Sequence, residues 1–200
     1  MILFPAFLKL AGRRCLVVGA GRVAEGKIEG LLRTGADVRV VAPRATHRIR
    51  TWARAKKLRW DARKFRSSDL AGAFLTVAAT SSPALHAEIY RQAKRRNVLC
   101  NVVDDPEHCD FYYGAVVRRG ALQIAISTGG QSPALAQRLK KRIDREYGAE
   151  YESWLEELGE IRRKLFAGKL SPERRRALLH RFSSKASFEE FLRRRKRRPQ

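Results

Sequence analysis

The sequence predicts an α/β fold, with a parallel sheet first, then a small hairpin and a helical C-terminal region. Three observations carry that expectation. A short apolar run, Cys15 to Val18, stops abruptly at Gly19-Ala20-Gly21-Arg22-Val23-Ala24. Strand-sized apolar runs then alternate with helix-period segments as far as Val103, which implies crossovers between parallel strands. Beyond Gly114 the alternation stops: two short β-like runs flank Arg119-Gly120, and the rest of the chain has helical periodicity.

The elements run in order along the chain. The run Cys15 to Val18 reads as a strand buried on both faces, and the glycines after it begin a helix at Arg22 whose body spans Glu25 to Thr34. Ile28, Leu31 and Leu32 share one face of that helix and Gly35 stops it. Asp37 to Val41 is a second strand closed by Ala42-Pro43, Thr46 to Lys57 a helix, and Leu58 to Lys64 a third strand. Ala73 to Ala79 is a strongly apolar fourth strand. Pro83 to Arg96 is a helix with proline in its first turn, and Val98 to Val103 is a fifth strand. Gly114 to Arg118 and Ala121 to Ser127 form the hairpin. Ser132 caps a helix running to about Tyr147; Tyr151 to Phe166, Pro172 to Phe182 and Phe188 to Arg195 are three further helices. The last several residues read as a disordered tail. The expected organisation is a Rossmann-type domain over 1–113, a connecting segment over 114–147 and a helical region with a basic tail over 148–200.

Composition limits the function classes. No apolar run approaches the roughly 20 residues that span a bilayer, and the first residues do not read as a signal peptide. Cys15, Cys100 and Cys109 are too few and too scattered for a disulfide framework, so the expected setting is the reducing cytoplasm. The net charge of +23 suits either nucleic acid or a small polycarboxylate. The positive charge is widely spread, with a concentration from Arg162 onward and a terminal run from Arg193 to Arg198. No nucleic-acid-binding signature accompanies it.

Chemistry in such a sheet gathers at the carboxyl ends of its strands. Gly19 permits the sharp turn out of the first strand, and Gly21 lets a pyrophosphate approach the backbone. Ala24 lets the helix lie close to the sheet, and the helix N-terminus at Arg22-Val23 faces the phosphates. The spacing therefore predicts a dinucleotide site. After the second strand stand Pro43 and Arg44, where an acid normally binds the adenine ribose; Asp37 lies at the wrong end of that strand. Arg44, His47 and Arg48 are candidates for a 2′-phosphate, which leaves NADP open beside NAD. Thr80 and Ser81 follow the fourth strand and offer hydroxyls to a ribose or phosphate. After the fifth strand, Asp104 is the candidate for proton transfer or metal contact, while Asp105, before Pro106, shapes the turn. The loop Thr128-Gly129-Gly130-Gln131-Ser132 opens a helix and is a candidate anion site. His108 and Cys109 show no metal-ligand spacing, so no resident metal is expected, and His86 and His180 read as surface or packing residues.

These motifs together resemble one family. Phe4-Pro5-Ala6-Phe7-Leu8, Arg14 to Lys27, Ala78-Ala79-Thr80, Cys100 to Pro106 and Ala125 to Gly130 with Ser132-Pro133 occur in order over residues 1 to 147. In this they are similar to the N-terminal module of siroheme synthase, the precorrin-2 dehydrogenase and sirohydrochlorin ferrochelatase family. The resemblance implies oxidation of precorrin-2 to sirohydrochlorin with NAD taking the hydride, and in some members insertion of ferrous iron. It implies Asp104 as the general base, NAD contacts around Arg22-Val23 and Pro43-Arg44, and a homodimer formed through the segment from Gly114. Substrate contacts are expected from Asn101, Thr128, Gly129, Gly130 and Ser132. A polycarboxylate substrate accounts for the charge better than nucleic acid does. The competing expectation is a dinucleotide-sensing regulator that grips nucleic acid through its basic C-terminal region.

Overall fold

The computed structural model describes residues 2–196, in two compact units, 1–113 and 114–200. The terminal basic run continues past Lys196, so its last residues and the tail beyond lie outside the described residues.

The first unit holds five parallel strands: β1 (Arg14–Val18), β2 (Asp37–Val41), β3 (Arg59–Asp61), β4 (Leu75–Ala78) and β5 (Leu99–Val102). Their order is β3-β2-β1-β4-β5. The chain therefore reverses direction across the sheet between β1 and β4, the switch point where open α/β sheets form a crevice. Strand periodicity divides the core in two. Cys15 and Val17 face one cluster with Val38 and Val40, while Leu16 and Val18 face the other with Cys100 and Val102. Helix α1 (Arg22–Leu32) buries Ala24, Ile28 and Leu31 in the first cluster, where α2 (His47–Arg54) adds Ile49. Helix α3 (Pro83–Arg95) buries Ile89 and Ala93 in the second.

Several boundaries differ from expectation for local reasons. Helix α2 stops at Arg54 rather than Lys57 because Lys56 turns left-handed (φ 54°) and the Lys57 N–H returns to the Trp52 carbonyl. Strand β3 keeps three residues because its end is tied into ion pairs. The Asp61 carboxylate accepts from Arg39 and Arg59, and the chain then turns at Arg63 toward a 3₁₀ turn, Ser67–Leu70. There Asp69, 2% exposed, accepts from both Arg63 and the Arg66 N–H.

The second unit pairs β6 (Ala115–Arg119) with β7 (Leu122–Ile126) in an antiparallel hairpin. Its turn is Gly120-Ala121, one residue later than expected, because Gly120 supplies a left-handed φ of 55°. Helix α4 (Pro133–Glu146) starts at Ser132, whose Oγ accepts the Leu135 N–H. Helices α5 (Glu150–Ala167), α6 (Pro172–Phe182) and α7 (Lys185–Lys196) complete the unit. The last begins three residues earlier than Phe188, since Ser184 caps it through the Ser187 N–H. Tyr151, Trp154 and Phe188 stack into an aromatic cluster with ring centroids 4.5 to 5.8 Å apart.

Candidate dinucleotide cleft

The carboxyl ends of the strands open on a cleft of about 980 Å³. Of the residues singled out from the sequence, Gly19, Gly21, Arg22, Val23, Pro43, Thr80, Ser81 and Asp104 all line it.

The two glycines stand there for different reasons. Gly19 has φ +105°, and a Cβ on it would lie 2.6 Å from the Ala79 carbonyl carbon, so the β4–α3 loop passes directly over it. Gly21 has an ordinary φ of −85°, and a Cβ there would meet nothing within 4 Å. Nothing within the protein requires glycine at that position. It leaves open space directly above the start of α1, whose first-turn N–H groups receive no side-chain cap. Unpartnered amides, the positive end of the helix dipole and an empty approach fit the pyrophosphate of a dinucleotide.

Beyond the switch point, Thr80 Oγ1 accepts the Ser82 N–H at 3.2 Å, which leaves the hydroxyl proton free to donate into the cleft. Ser82 caps α3 through the Leu85 N–H. His86 also lines the cleft, and its Nε2 lies 2.9 Å from the Thr80 carbonyl. A carbonyl only accepts, so Nε2 carries the proton and the imidazole clamps the Thr80 loop. The sequence pattern assigned His86 to surface or packing; its place in the first turn of α3, above that loop, is invisible to a linear pattern.

Asp104 stands in the wall two residues past β5 with φ +60°. Left-handed backbone is uncommon outside glycine and aspartate tolerates it better than most residues; here it turns the residue at the cleft wall. Its neighbour Asp105 is engaged elsewhere, with Oδ2 2.7 Å from His108 Nδ1, and the imidazole meets Tyr90 edge-on. Lys27, on α1, is near enough to Asp104 for their charges to interact. Burial pushes the Lys27 ammonium pKa down, and the Asp104 and Cys109 charges pull it part of the way back. The Lys27 ammonium also lies 3.7 Å from the centre of the Tyr113 ring. Periodicity alone did not single out Lys27, because it sits beside the buried stripe of α1 rather than on it.

Other expected contacts lie elsewhere. Asn101 is buried beneath the cleft: its Nδ2 donates to the Phe111 carbonyl at 2.8 Å and lies 3.3 Å from Cys109 Sγ, binding the 109–111 segment to β5. Arg44 is exposed next to Pro43 and outside the lining. Arg48 is committed to Glu29 and stacks on Trp52, which removes it as a free cation. Lys64 and Phe65, just beyond the shortened β3, do line the cleft and were not anticipated, because the third strand was expected to include Lys64. Thr128, Gly129, Gly130 and Ser132 belong to the second unit. Thr128 Oγ1 accepts the Ser132 N–H, and both glycines take left-handed φ, 60° and 83°. Among the described residues, no three His, Cys, Asp or Glu side chains converge to hold a metal, and no helix is long and apolar enough to cross a membrane.

Comparison with known proteins agrees with this geometry. Residues 6–115 match the family described as "Putative NAD(P)-binding", and residues 119–146 match "Sirohaem biosynthesis protein central". The siroheme synthase of Neisseria meningitidis serogroup C (strain FAM18) is 41% identical over 141 residues, covering 70% of this chain and 29% of the relative. That of Nitrosococcus oceani is 37% identical over 140 residues, 70% of this chain and 30% of the relative. The chain thus spans less than a third of those enzymes' length. A solved structure described as SirC, precorrin-2 dehydrogenase, is 30% identical and superposes with a TM-score of 0.79, over 98% of this chain and 100% of that one. The chain belongs to the NAD(P)-binding family that unites precorrin-2 dehydrogenase with the N-terminal module of siroheme synthase.

Proposed function

We propose that the chain oxidises precorrin-2 to sirohydrochlorin with NAD as the hydride acceptor. The single observation that carries this reading is the open space over Gly21 at an uncapped helix start, in the same cleft as Asp104. When bound, the nicotinamide supplies the chemistry of accepting a hydride. The chain's own residues bind, orient and move a proton. First-turn amides at Arg22 and Val23 hold the pyrophosphate. Pro43 closes the adenine end, and the Thr80 and Ser81 hydroxyls fix the ribose on the far side of the switch point. Asp104 accepts the proton that leaves the macrocycle as the hydride departs, so two electrons and two hydrogens leave the substrate in all. Lys27 provides a nearby positive charge for the carboxylate. The strongly cationic surface draws in the carboxylates of the tetrapyrrole. Within the second unit, the loop of Thr128, Gly129, Gly130 and Ser132 at the start of α4 is the proposed site for a carboxylate of the substrate.

We further propose that two copies pair through 114–147 and that the enzyme works in the cytoplasm. Leu122, Ile124 and Ile126 of the hairpin stay half-buried and Leu135 is 46% exposed, apolar surface suited to a second copy. Three free thiols suit a reducing compartment. Light scattering of the eluting protein should give twice 22.8 kDa, and a monomer at micromolar concentration would overturn the pairing.

The direct test is anaerobic mixing with precorrin-2 and NAD⁺, followed by the absorption of NADH and of the macrocycle. Ferrous iron added afterward tests insertion in the same cuvette. Asp104→Ala should lower kcat about 100-fold or more, the usual contribution of a positioned base. Unchanged turnover in that variant would remove Asp104 from the chemistry.

A further inference from the structure

We infer that His86 is a positioning residue for the nicotinamide half of the dinucleotide: by holding the Thr80 carbonyl, it sets where the Thr80 and Ser81 hydroxyls meet the carrier. The inference rests on the dinucleotide reading above and deepens it, by separating the end of the cleft that His86 governs from the end it does not.

The loop from Ala79 to Ser82 passes over Gly19 and is fixed mainly at its two ends. It enters where the Ala79 N–H donates to the Val18 carbonyl at 2.8 Å. It leaves into α3, where Ser82 accepts the Leu85 N–H. Between those points Thr80 is half-buried and Ser81 exposed. The bond from the Ser82 N–H to Thr80 Oγ1 spans two residues, so it restrains the loop against itself and not against the fold. Among the described residues, His86 is the one side chain from outside the loop that bonds to the backbone of Thr80 or Ser81.

The imidazole is well rooted for that task. His86 precedes the buried Ile89 by three residues and Ala93 by seven, so it shares the face of α3 that packs on the sheet. That packing fixes where the ring begins, and only two side-chain torsions separate the backbone from Nε2. A hydrogen bond from such a rigid root holds its partner more closely than one from a long, exposed side chain. Without it, the two hydroxyls sample more positions, and binding must overcome the entropy of ordering them. The other end of the cleft owes nothing to this bond. Gly21, the start of α1 and Pro43 follow β1 and β2, whereas Thr80, Ser81 and His86 follow β4, across the switch point.

Calorimetric titration of the full chain with NAD⁺ and with adenosine 5′-diphosphate separates the two ends. His86→Phe keeps a ring in place and lacks the donor. In that variant the NAD⁺ dissociation constant should rise about tenfold, the effect of one lost hydrogen bond, while that of adenosine 5′-diphosphate stays within about twofold. Turnover of precorrin-2 at saturating NAD⁺ should fall as well, because the nicotinamide is aligned less closely. His86→Gln places an amide N–H as far along the side chain as Nε2 and should bring NAD⁺ affinity back to within about threefold of the original. Should His86→Phe fail to fold, His86→Ala set against His86→Gln makes the same comparison. NAD⁺ affinity that neither Phe nor Ala moves would overturn the inference and leave the dinucleotide reading standing. So would an equal rise for both nucleotides, or a glutamine that restores nothing. If the unaltered chain binds neither nucleotide, the dinucleotide reading itself falls, and this inference with it.

Discussion

Within the first unit, Cys15, Val17, Ile28, Val40, Ile49 and Val77 lose all contact with solvent, whereas among the described residues the second unit's buried apolar residues are Val117, Ala136 and Phe191. Helices α5 and α6 bury no residue completely. The difference stems from architecture. A parallel sheet with helices on both faces encloses its strands, so each central strand residue counts toward a core. A hairpin beside amphipathic helices leaves one face of every element uncovered. The first unit therefore sets its candidate cleft on an enclosed core of its own. The second depends on its aromatic cluster and gains from any partner that covers its hairpin.

Core truncation gives the largest expected effects and is the surest way to break that comparison. Ile28→Ala should cost about 2–5 kcal/mol and lower the melting temperature of the whole first unit. Phe191→Ala should instead loosen α5 and α7 while amides of β1 and β4 keep their slow hydrogen exchange. If Phe191→Ala unfolds the sheet as well, the units do not differ as argued.

Next come the two glycines. Gly19→Ala combines left-handed backbone with a clash against the Ala79 carbonyl and should cost about 3 kcal/mol. Gly21→Val should leave thermal stability within about 1 kcal/mol, since nothing surrounds that position, yet abolish detectable NAD⁺ binding. Equal losses of stability in the two variants would make Gly21 a structural glycine and remove the argument for a phosphate above it.

This pair also shows what the sequence discloses. Both glycines were legible as a turn after a strand, because an apolar run followed by G-x-G-x-x-A has few other uses. Their division, Gly19 for the turn and Gly21 for the pyrophosphate, was legible too; the passage of Ala79 over Gly19 was not, since it depends on tertiary geometry. Asp104 was legible from its place after a strand, but not its left-handed backbone. Asn101, expected among the substrate contacts, is buried and its amide ties Phe111 to β5, a partner that only the folded chain reveals. Lys64, Phe65 and His86 enter the site only through tertiary geometry: a strand cut short by ion pairs, and an imidazole reaching back to the loop before its own helix.

The smallest expected effect is the dependence on pH, and it separates the units again. Burial pushes Asp69 and Asp61 up, but hydrogen bonds outweigh it: from Arg63 and the Arg66 N–H to Asp69, and from Arg39 and Arg59 to Asp61. Both carboxyls lie below the usual range. A carboxyl whose pKa is lower in the folded state contributes stability that is complete above its unfolded value and is lost as pH falls through the folded one. The first unit should therefore weaken once pH drops below about 4, as these carboxylates take up protons and release Arg39 and Arg63. Among the described residues, the second unit's ion pairs, Arg119 with Asp144, Arg194 with Glu157 and Lys185 with Glu189, each have at least one partner more than half exposed, and pairs open to solvent contribute little at any pH. Urea titration at a series of pH values, read by amide exchange in β3 and in α7, should show the sheet edge failing first in acid. Asp69→Asn should flatten that slope, at the cost of lower stability near neutral pH. A slope that survives the substitution, or an acid loss confined to α7, would place the acid-sensitive contacts outside the arginine–aspartate network.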